Sequence, residues 1–289
     1  MTLVVLDPGA LTTVQDRGRR GWAHLGVPRA GALDADAAAL ANRLVGNEPD
    51  AALLETTLTG VRVRLEEART LAVTGAECDV VVGGRSCAFA EPVSVRAGAE
   101  VQIGPARRGV RSYLAVSGGL AVAPVLGSRS TDTLAWVGPP LPQAGDKLPL
   151  GPVAGPPRAA DVVVRRPREA VLRLHRGPRA DWVTSQAWDA LDGAAYTVGA
   201  DSNRIGLRLE GRAVERVERG ELASEGVVLG AVQLPPSGQP VVFLHDHPVT
   251  GGYPVIAVVD PDDLGVCAQL RPGEEVALRA LGDRRRSHG

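Results

Sequence analysis

Short runs of β-branched and other apolar residues recur along the chain, and turn residues separate them. The sequence contains 35 glycines and 22 prolines, many of which lie between these runs. Short β-branched runs bounded by Gly or Pro predict β-strands, and their number and spacing predict a barrel or a sandwich. The runs cover residues 61–65, 70–73, 80–82, 93–95, 101–103, 113–116, 162–164, 171–174, 241–244 and 255–259.

Helix signals are few, and each begins at an aspartate. An aspartate at this position can accept hydrogen bonds from the first backbone N–H groups of a helix. The sequence therefore predicts a mainly β fold with a few short helices. These helices follow Asp34 (35–45, ended by Gly46), Asp181 (to Leu191) and Asp260 (to about Leu270, with Pro261 at the first helical position).

A stretch rich in glycine and proline lies near the middle of the chain, between residues 138 and 167. It contains the turn-forming sequences GPP at 138–140 and 155–157, and it has little periodic apolar content. Such composition is typical of a linker. We therefore predict two halves of comparable size, residues 1–150 and 151–289, each built as a β-barrel.

Charge and cysteine usage narrow the class of protein. The formal net charge is -1, from 32 Lys+Arg against 33 Asp+Glu, which argues against bulk binding of nucleic acid. No apolar run is long enough to span a membrane, and the first residues lack the pattern of a signal peptide. The three cysteines show no CxxC spacing. We therefore expect a cytoplasmic protein with no nucleic-acid or membrane partner.

Several common catalytic motifs are missing from the sequence. There is no GxxxxGK[ST] phosphate loop, no GxGxxG before a helix and no GxSxG elbow. Lys147 is the only lysine and lacks the setting of a biotin carrier, so any biotin must arrive on another chain. His245 and His247 flank an aspartate, but no third ligand is evident, and we predict no metal site.

Four segments combine glycine with polar side chains that could contact a ligand. A charged surface loop would explain residues 11–28 as well, turn chemistry would explain 117–131 and 246–254, and an internal ion pair would explain 201–206 with 224–226, so these alternatives stay open. Arginine and backbone N–H groups suit an oxyanion, and a tyrosine hydroxyl suits a carbonyl oxygen. The candidates are Gln15, Asp16, Arg17, His24, Ser128, Arg129, Ser130, Asn203, Arg204, Glu225, Asp246, Thr250, Gly251, Gly252 and Tyr253.

The order of these segments resembles that of the carboxyltransferase-type family related to the second subunit of allophanate hydrolase. This family includes the C subunit of bacterial ATP-dependent 5-oxoprolinase, Kip-type antagonist proteins and the carboxyltransferase portion of urea carboxylase. The resemblance covers nearly the whole chain. It rests on LTTVQDRG (11–18), HLGVP (24–28), GALD (31–34), ANRLVG (41–46), SGG (117–119), GSRST (127–131), DSNRIG (201–206), SEG (224–226), GAVQLP (230–235), GQP (238–240) and TGGYP (250–254).

The resemblance implies a fold, partners and residue roles. It implies cyclophilin-like β-barrels and a protein that opens the lactam of 5-oxoproline with ATP, together with subunits of the A type and of the smaller, homologous B type. Arg129 and Arg204 would bind phosphate or carboxylate oxygens, and ATP would bind on this chain or at a partner interface. Asp16 or Glu225 would act as a base or bridge a metal. Tyr253 would stabilise an oxyanion. Gln233 is a further residue expected to bind the substrate.

Two other functions follow from the same resemblance. One is a biotin-dependent carboxyltransferase component that acts on a urea or amide nitrogen, with biotin supplied by another chain. The other is a regulatory protein of the Kip type without turnover of its own. We expect the 5-oxoprolinase role because a chain of 289 residues contains neither a biotin carrier nor a biotin carboxylase.

Overall fold

The computed structural model describes residues 1–158, 169–217 and 220–281. The chain divides into two compact units. The first consists of Met1–Trp22 and Arg29–Arg166, and the second of Ala23–Pro28 and Pro167–Gly289. The mainly β composition with few short helices confirms the predicted fold class. Of the predicted strands, the one at 162–164 lies outside the described residues.

The strands of the first unit coincide with most of the predicted apolar runs. Their bounds are β1 (Thr2–Asp7), β2 (Leu11–Gln15), β3 (Leu53–Thr57), β4 (Val61–Leu65), β5 (Arg69–Glu77), β6 (Val80–Val82), β7 (Arg85–Cys87), β8 (Val93–Val95), β9 (Glu100–Ile103), β10 (Arg108–Val116) and β11 (Lys147–Pro149).

These strands form two sheets rather than the single closed barrel that we predicted for the first half. One sheet has the order β11-β1-β4-β9-β6-β7, and the other has the order β2-β3-β10-β5-β8. The chain crosses between the sheets at tight turns, such as the one from β3 to β4. Gly60 in that turn has φ +80, and a Cβ atom there would lie 2.0 Å from the Ile103 carbonyl oxygen. Only glycine fits this corner.

The main core of the first unit takes side chains from both sheets. Leu3 and Val63 come from one sheet, and Leu54 and Leu114 come from the other, and all four are almost fully buried. Successive side chains of a strand point to opposite faces, so the neighbouring position, Tyr113, packs elsewhere. It belongs to a second cluster, with residues of the helix described next.

Helix α1 (Ala35–Leu44) covers the outer face of the second sheet. Its start is the predicted one: the Asp34 carboxylate accepts a hydrogen bond from the Ala37 N–H at 3.3 Å. The Asp34 N–H in turn donates to the Tyr113 hydroxyl at 2.7 Å. Small residues on the buried face, such as Ala41, let the helix approach the sheet closely. The helix prediction is confirmed.

Strand β11 lies inside the stretch that we predicted as a linker. It pairs antiparallel with β1, with Val4 opposite Lys147. A strand of three residues has almost no local signal, and it is stabilised by backbone hydrogen bonds to a strand more than a hundred residues earlier in the chain. Composition alone therefore missed it.

The second unit contains a closed barrel, as predicted. Its order is β12-β19-β16-β17-β14-β13-β20, and the barrel closes through a parallel pairing of β12 with β20. Strands β15 and β18 form a separate two-stranded sheet that is not part of the barrel. The bounds are β12 (Val171–Arg176), β13 (Ala195–Val198), β14 (Gly206–Glu210), β15 (Glu225–Gly226), β16 (Ala231–Gln233), β17 (Val241–Phe243), β18 (Thr250–Gly251), β19 (Val255–Val259) and β20 (Glu275–Ala280).

The helical segments of the second unit are shorter than the two predicted ones. Asp260 accepts a hydrogen bond from the Asp262 N–H, as expected of a helix start, but each predicted segment is broken into one-turn pieces. No helix in the described ranges is long and apolar enough to cross a membrane. The pieces are α2 (Ser185–Asp189), α3 (Leu264–Cys267) and the 3-10 turns Ala23–Leu25, Ala180–Trp182 and Pro261–Asp263.

Candidate functional site

The carboxylate of Asp16 holds together two of the segments that the sequence singled out. It accepts hydrogen bonds from the hydroxyls of Ser128 and Ser130, both at 2.6 Å. It also accepts from the backbone N–H of Arg129 at 2.6 Å and of Gly18 at 2.8 Å. Asp16 and the 128–130 segment are more than a hundred residues apart in the chain.

This environment sets the charge state of Asp16. Burial by itself raises the pKa of the carboxyl group, but the hydrogen bonds from Ser128, Ser130 and the two backbone N–H groups outweigh it. The pKa of Asp16 therefore lies below the ordinary value of an aspartate. A carboxylate stabilised in this way is a weak proton acceptor, so its geometry suits positioning a loop better than general-base catalysis.

Gln15, directly before Asp16, is fully buried and uses its amide within the first unit. Its Nε2 donates to the Thr13 hydroxyl and to the Thr131 carbonyl, both at 2.9 Å. Its Oε1 accepts from the Gly31 N–H at 3.1 Å. Gln15 thus fixes β2 against two neighbouring loops.

The two arginines predicted here differ in what they contact. The Arg17 side chain is exposed and pairs with Asp50 at 3.0 Å. Arg129 is half-buried, and its Nε donates to the Val122 carbonyl at 2.8 Å. Within the described ranges, the Nη groups of Arg129 make no hydrogen bond and no ion pair. Arg129 therefore presents donors that an oxyanion could accept.

In the second unit, Arg204 and Asp246 form a buried ion pair. Their side chains are 1% and 0% exposed. The two contacts are parallel: Nε to Oδ2 at 2.9 Å and Nη2 to Oδ1 at 2.9 Å. Neighbouring Asn203 uses its Oδ1 to accept from the Ile205 N–H at 2.8 Å, which makes a local turn. This pair is internal, which is one of the alternatives that the sequence left open.

Glu225 pairs with Arg179, a residue that the sequence did not single out. The Arg179 Nε lies 2.9 Å from Oε2 of Glu225, and its Nη2 contacts the other carboxylate oxygen. The pairing of β15 with β18 places Glu225 opposite Gly251. Arg179 lies 46 residues before Glu225, so no local pattern could have linked them.

The predicted TGGYP segment forms one surface with Gln233. The Gln233 Nε2 donates to the Tyr253 carbonyl at 3.1 Å. A Cβ atom on Gly251 would lie 2.3 Å from this same Nε2, so only glycine allows the approach. Thr250 is exposed, and the Tyr253 side chain is 47% exposed. The Tyr253 hydroxyl has no partner in the part of the chain that the structure describes, and it can donate to a ligand oxygen.

The histidines lie in different settings. His245 and His247 are both buried, and His247 stacks on Phe243 with ring centroids 5.6 Å apart. The Nδ1 of His247 lies 2.7 Å from the Pro248 carbonyl oxygen. Among the described residues, no group of three or more His, Cys, Asp or Glu side chains could hold a metal ion. His24 lies in the exposed turn Ala23–Leu25, which belongs to the second unit.

The structure therefore sorts the predicted residues into separate groups. Asp16, Ser128, Arg129 and Ser130 meet in the first unit. Gln233 lies with the 250–253 segment in the second unit, where β15 brings Glu225 beside the same segment. We call the first group the Asp16 loop site and the second the Tyr253 surface.

The sheets, the barrel and these two groups define the class of protein. The family model described as "Carboxyltransferase domain, subdomain A and B" matches residues 25–280. The chain belongs to this carboxyltransferase family.

Individual relatives refine this placement. The chain is 36% identical to the C subunit of 5-oxoprolinase from Escherichia coli K12, over 98% of this chain and 96% of that protein. It matches the crystal structure of TTHA0988 with a TM-score of 0.86 and 39% identity, over 96% of this chain and 55% of that one. It matches the K. lactis urea amidolyase with a TM-score of 0.89 and 28% identity, over 97% of this chain and 19% of that one. The chain thus spans about half of TTHA0988.

Proposed function

We propose that this chain is the C subunit of an ATP-dependent 5-oxoprolinase, an amidohydrolase that needs partner subunits. The observation that carries the proposal is the match in length and identity to the corresponding E. coli protein, which covers nearly all of both chains. The urea amidolyase match covers a small part of a much longer chain. The proposed partners are subunits of the A type and of the smaller B type.

The chemistry of the substrate explains what such a complex must supply. A lactam carbonyl is a poor electrophile, and ATP supplies the phosphoryl group that converts its oxygen into a better leaving group. Water addition and cleavage of the C–N bond then open the ring, and a second water releases phosphate to leave glutamate. Donors placed at the developing oxyanion and at phosphate oxygens would lower the barriers.

The Asp16 loop site fits the binding of an oxyanion. Arg129 offers Nη donors to a phosphate or carboxylate oxygen, and its backbone is fixed by the hydrogen bond to Asp16. In this proposal Asp16 is a positioning residue, because its carboxylate is already used by four internal donors. The site would receive either the substrate carboxylate or a phosphate of ATP.

The Tyr253 surface fits the recognition of a carbonyl oxygen. The exposed Tyr253 hydroxyl would donate to the developing oxyanion, while Gly252, where a Cβ atom would lie 3.7 Å from the Leu222 carbonyl oxygen, leaves room for a flat ring to approach the backbone. Arg179 holds the Glu225 carboxylate at the edge of β15. Its role in this proposal is to keep β15 in register beside β18.

The test is reconstitution of the enzyme from purified subunits. We expect glutamate release from 5-oxoproline and ATP with this chain plus the A-type and B-type subunits, and none when this chain is omitted. Arg129→Met should lower kcat/KM by roughly 10–100-fold at unchanged melting temperature, because it removes one charge-assisted contact. Arg85→Met, on the exposed strand β7, is the control with the same loss of charge.

Two results would contradict the proposal. No glutamate release from the complete set would remove the enzyme assignment and favour a role without turnover. Full activity of Arg129→Met would remove that residue from the anion-binding set.

A biotin-dependent carboxyltransferase role is the second candidate. The observation that favours it is the family match together with the structural match to urea amidolyase. Lys147 lies in β11, opposite Val4, so it is not at a hairpin tip, and biotin would have to be carried by another chain. Urea-dependent loss of carboxyl from free carboxybiotin, measured with this chain and its partners, would establish this role in place of the first.

A further inference from the structure

Two neighbouring loop segments of the first unit are locked against each other by their backbones. The Arg19 N–H donates to the Arg29 carbonyl at 2.7 Å, and the Ala32 N–H donates to the Asp16 carbonyl at 3.0 Å. A Cβ atom on Gly18 would lie 2.6 Å from the Arg29 carbonyl oxygen, so the approach is as close as glycine allows. The two segments are therefore fixed in register.

The backbone at this point adopts a conformation that costs free energy. Ala30 is fully buried and has φ +51, in the left-handed region that side chains other than glycine and asparagine rarely adopt. Such strain is maintained only where the surroundings hold it, and it is found preferentially at binding and active sites. The strained residue directly follows Arg29.

Arg29 itself is half-buried without compensation. Its Nε is shielded from solvent and has no hydrogen-bond acceptor. Burial lowers the pKa of Arg29, and the positive charge of nearby Arg20 lowers it further. No described carboxylate pairs with either guanidinium. A partly buried charge beside a like charge is unfavourable unless a counter-charge is supplied.

The carboxylates near these segments already have partners within the chain, and Asp34 accepts from the Ala37 N–H at the start of α1. Asp16 accepts four internal hydrogen bonds, and Asp50 pairs with Arg17. No carboxylate in the described ranges pairs with Arg20 or Arg29, and Arg20 is exposed, so an anion from solution can reach the pair. A guanidinium pair of this kind recognises an oxyanion with at least two acceptor oxygens.

We propose that Arg20 and Arg29 form an oxyanion-binding site, which takes a phosphate or a carboxylate group of a ligand. The backbone at Ala30 and the hydrogen bond from the Arg19 N–H to the Arg29 carbonyl bring the chain positions of Arg20 and Arg29 together before the ligand arrives. The inference is independent of the reaction that the protein catalyses, because binding to this site is measurable on the isolated chain without turnover.

The test measures the melting temperature and the affinity of the isolated chain for two probes, inorganic phosphate and acetate, at constant ionic strength set with chloride. A ligand that binds only the native state raises the melting temperature. We expect at least one probe to raise it for the unchanged protein. In chloride alone, the melting temperature of Arg29→Met should equal or exceed that of the unchanged protein. This variant should bind the same probe at least ~10-fold more weakly than the unchanged protein does.

The two probes distinguish the sources of the oxyanion. A response to phosphate alone supports a phosphate ligand, a response to acetate alone supports a carboxylate, and a response to both supports a general oxyanion site. Arg20→Met, at an exposed position, gives a second variant that should also bind more weakly, even if Arg29→Met fails to fold.

Three results would overturn the proposal. The first is a melting temperature that neither probe changes. The second is an equal response in the unchanged protein and in both variants. The third is an equal loss of binding in Arg85→Met, which removes the same charge from an exposed position in β7 of this unit and should bind normally.

Discussion

Two aspartates, one in each unit, are stabilised in opposite ways: Asp16 is half-buried and Asp246 is fully buried. Asp16 in the first unit is surrounded by neutral donors, namely two serine hydroxyls and two backbone N–H groups. Asp246 in the second unit is bound by the guanidinium of Arg204, itself 1% exposed. The first carboxylate is held by dipoles, and the second is held by a full positive charge.

The difference has consequences for how each site tolerates change. The donors around Asp16 are dipoles, which can rearrange or bind water when the charge is removed. Arg204 carries a full charge that is buried with its partner, so it depends on that partner. The second site should therefore respond more strongly to the loss of its carboxylate than the first.

The largest effect is expected for Asp246→Asn. This substitution removes the carboxylate that the Arg204 Nε and Nη2 both contact in a buried setting, and we expect a loss of about 3–5 kcal/mol in the free energy of unfolding. Urea denaturation of the two proteins measures it. The double variant Arg204→Met/Asp246→Leu removes both charges and should recover most of the loss. A loss of less than about 1 kcal/mol in the free energy of unfolding for Asp246→Asn alone would contradict this account.

A smaller effect is expected for Asp16→Asn. The amide group would place an N–H donor against one of the four internal donors, and we expect a loss of about 1–3 kcal/mol. The same denaturation measurement applies. If Asp16→Asn lowered the free energy of unfolding as much as Asp246→Asn does, neutral donors and a buried guanidinium would stabilise a carboxylate equally well. That result would contradict the contrast between the two sites.

The acid sensitivity of the first site follows from its pKa. Because the pKa of Asp16 is lower in the folded state than in the unfolded state, folding is favoured by this group above its unfolded pKa. This contribution is lost as the pH falls through the unfolded pKa towards the lowered pKa of the folded state. Denaturation at several pH values should show the difference between the unchanged protein and Asp16→Asn shrinking on acidification. A difference that grows would contradict the direction of the shift.

The smallest effect is expected at the surface pair of Arg17 and Asp50. Both side chains are largely exposed, and their contact at 3.0 Å is screened by solvent. Asp50→Asn should change the free energy of unfolding by less than about 0.5 kcal/mol. It serves as a baseline for Asp16 and Asp246, and a larger change would mean that this ion pair has a structural role.

The parts of the fold that the sequence predicted well are those with local causes. Helix α1 follows from Asp34, whose carboxylate accepts from the Ala37 N–H, and from Gly46 after its end. Strand β4 coincides with the predicted run 61–65. Strand β11 was missed because its stability comes from pairing with β1 across the chain.

The candidate site shows the same limit. The sequence offered an internal ion pair for the segments that contain Arg204 and Glu225, and a turn for the segment that contains Asp246. The structure pairs Arg204 with Asp246 and gives Glu225 to Arg179 instead. The sequence also could not predict that the Arg29 Nε is buried without an acceptor, because its burial depends on loops that only the fold brings together. The role of each residue in binding stays a prediction.

The parallel seam between β12 and β20 has a consequence for biosynthesis. Strand β20 joins both β12 and β13, and it is the last strand of the barrel to leave the ribosome. The barrel therefore cannot close while residues 275–280 remain in the exit tunnel. Until then β12 keeps an uncovered edge, a point at which a nascent chain is exposed to chaperones and to misassociation.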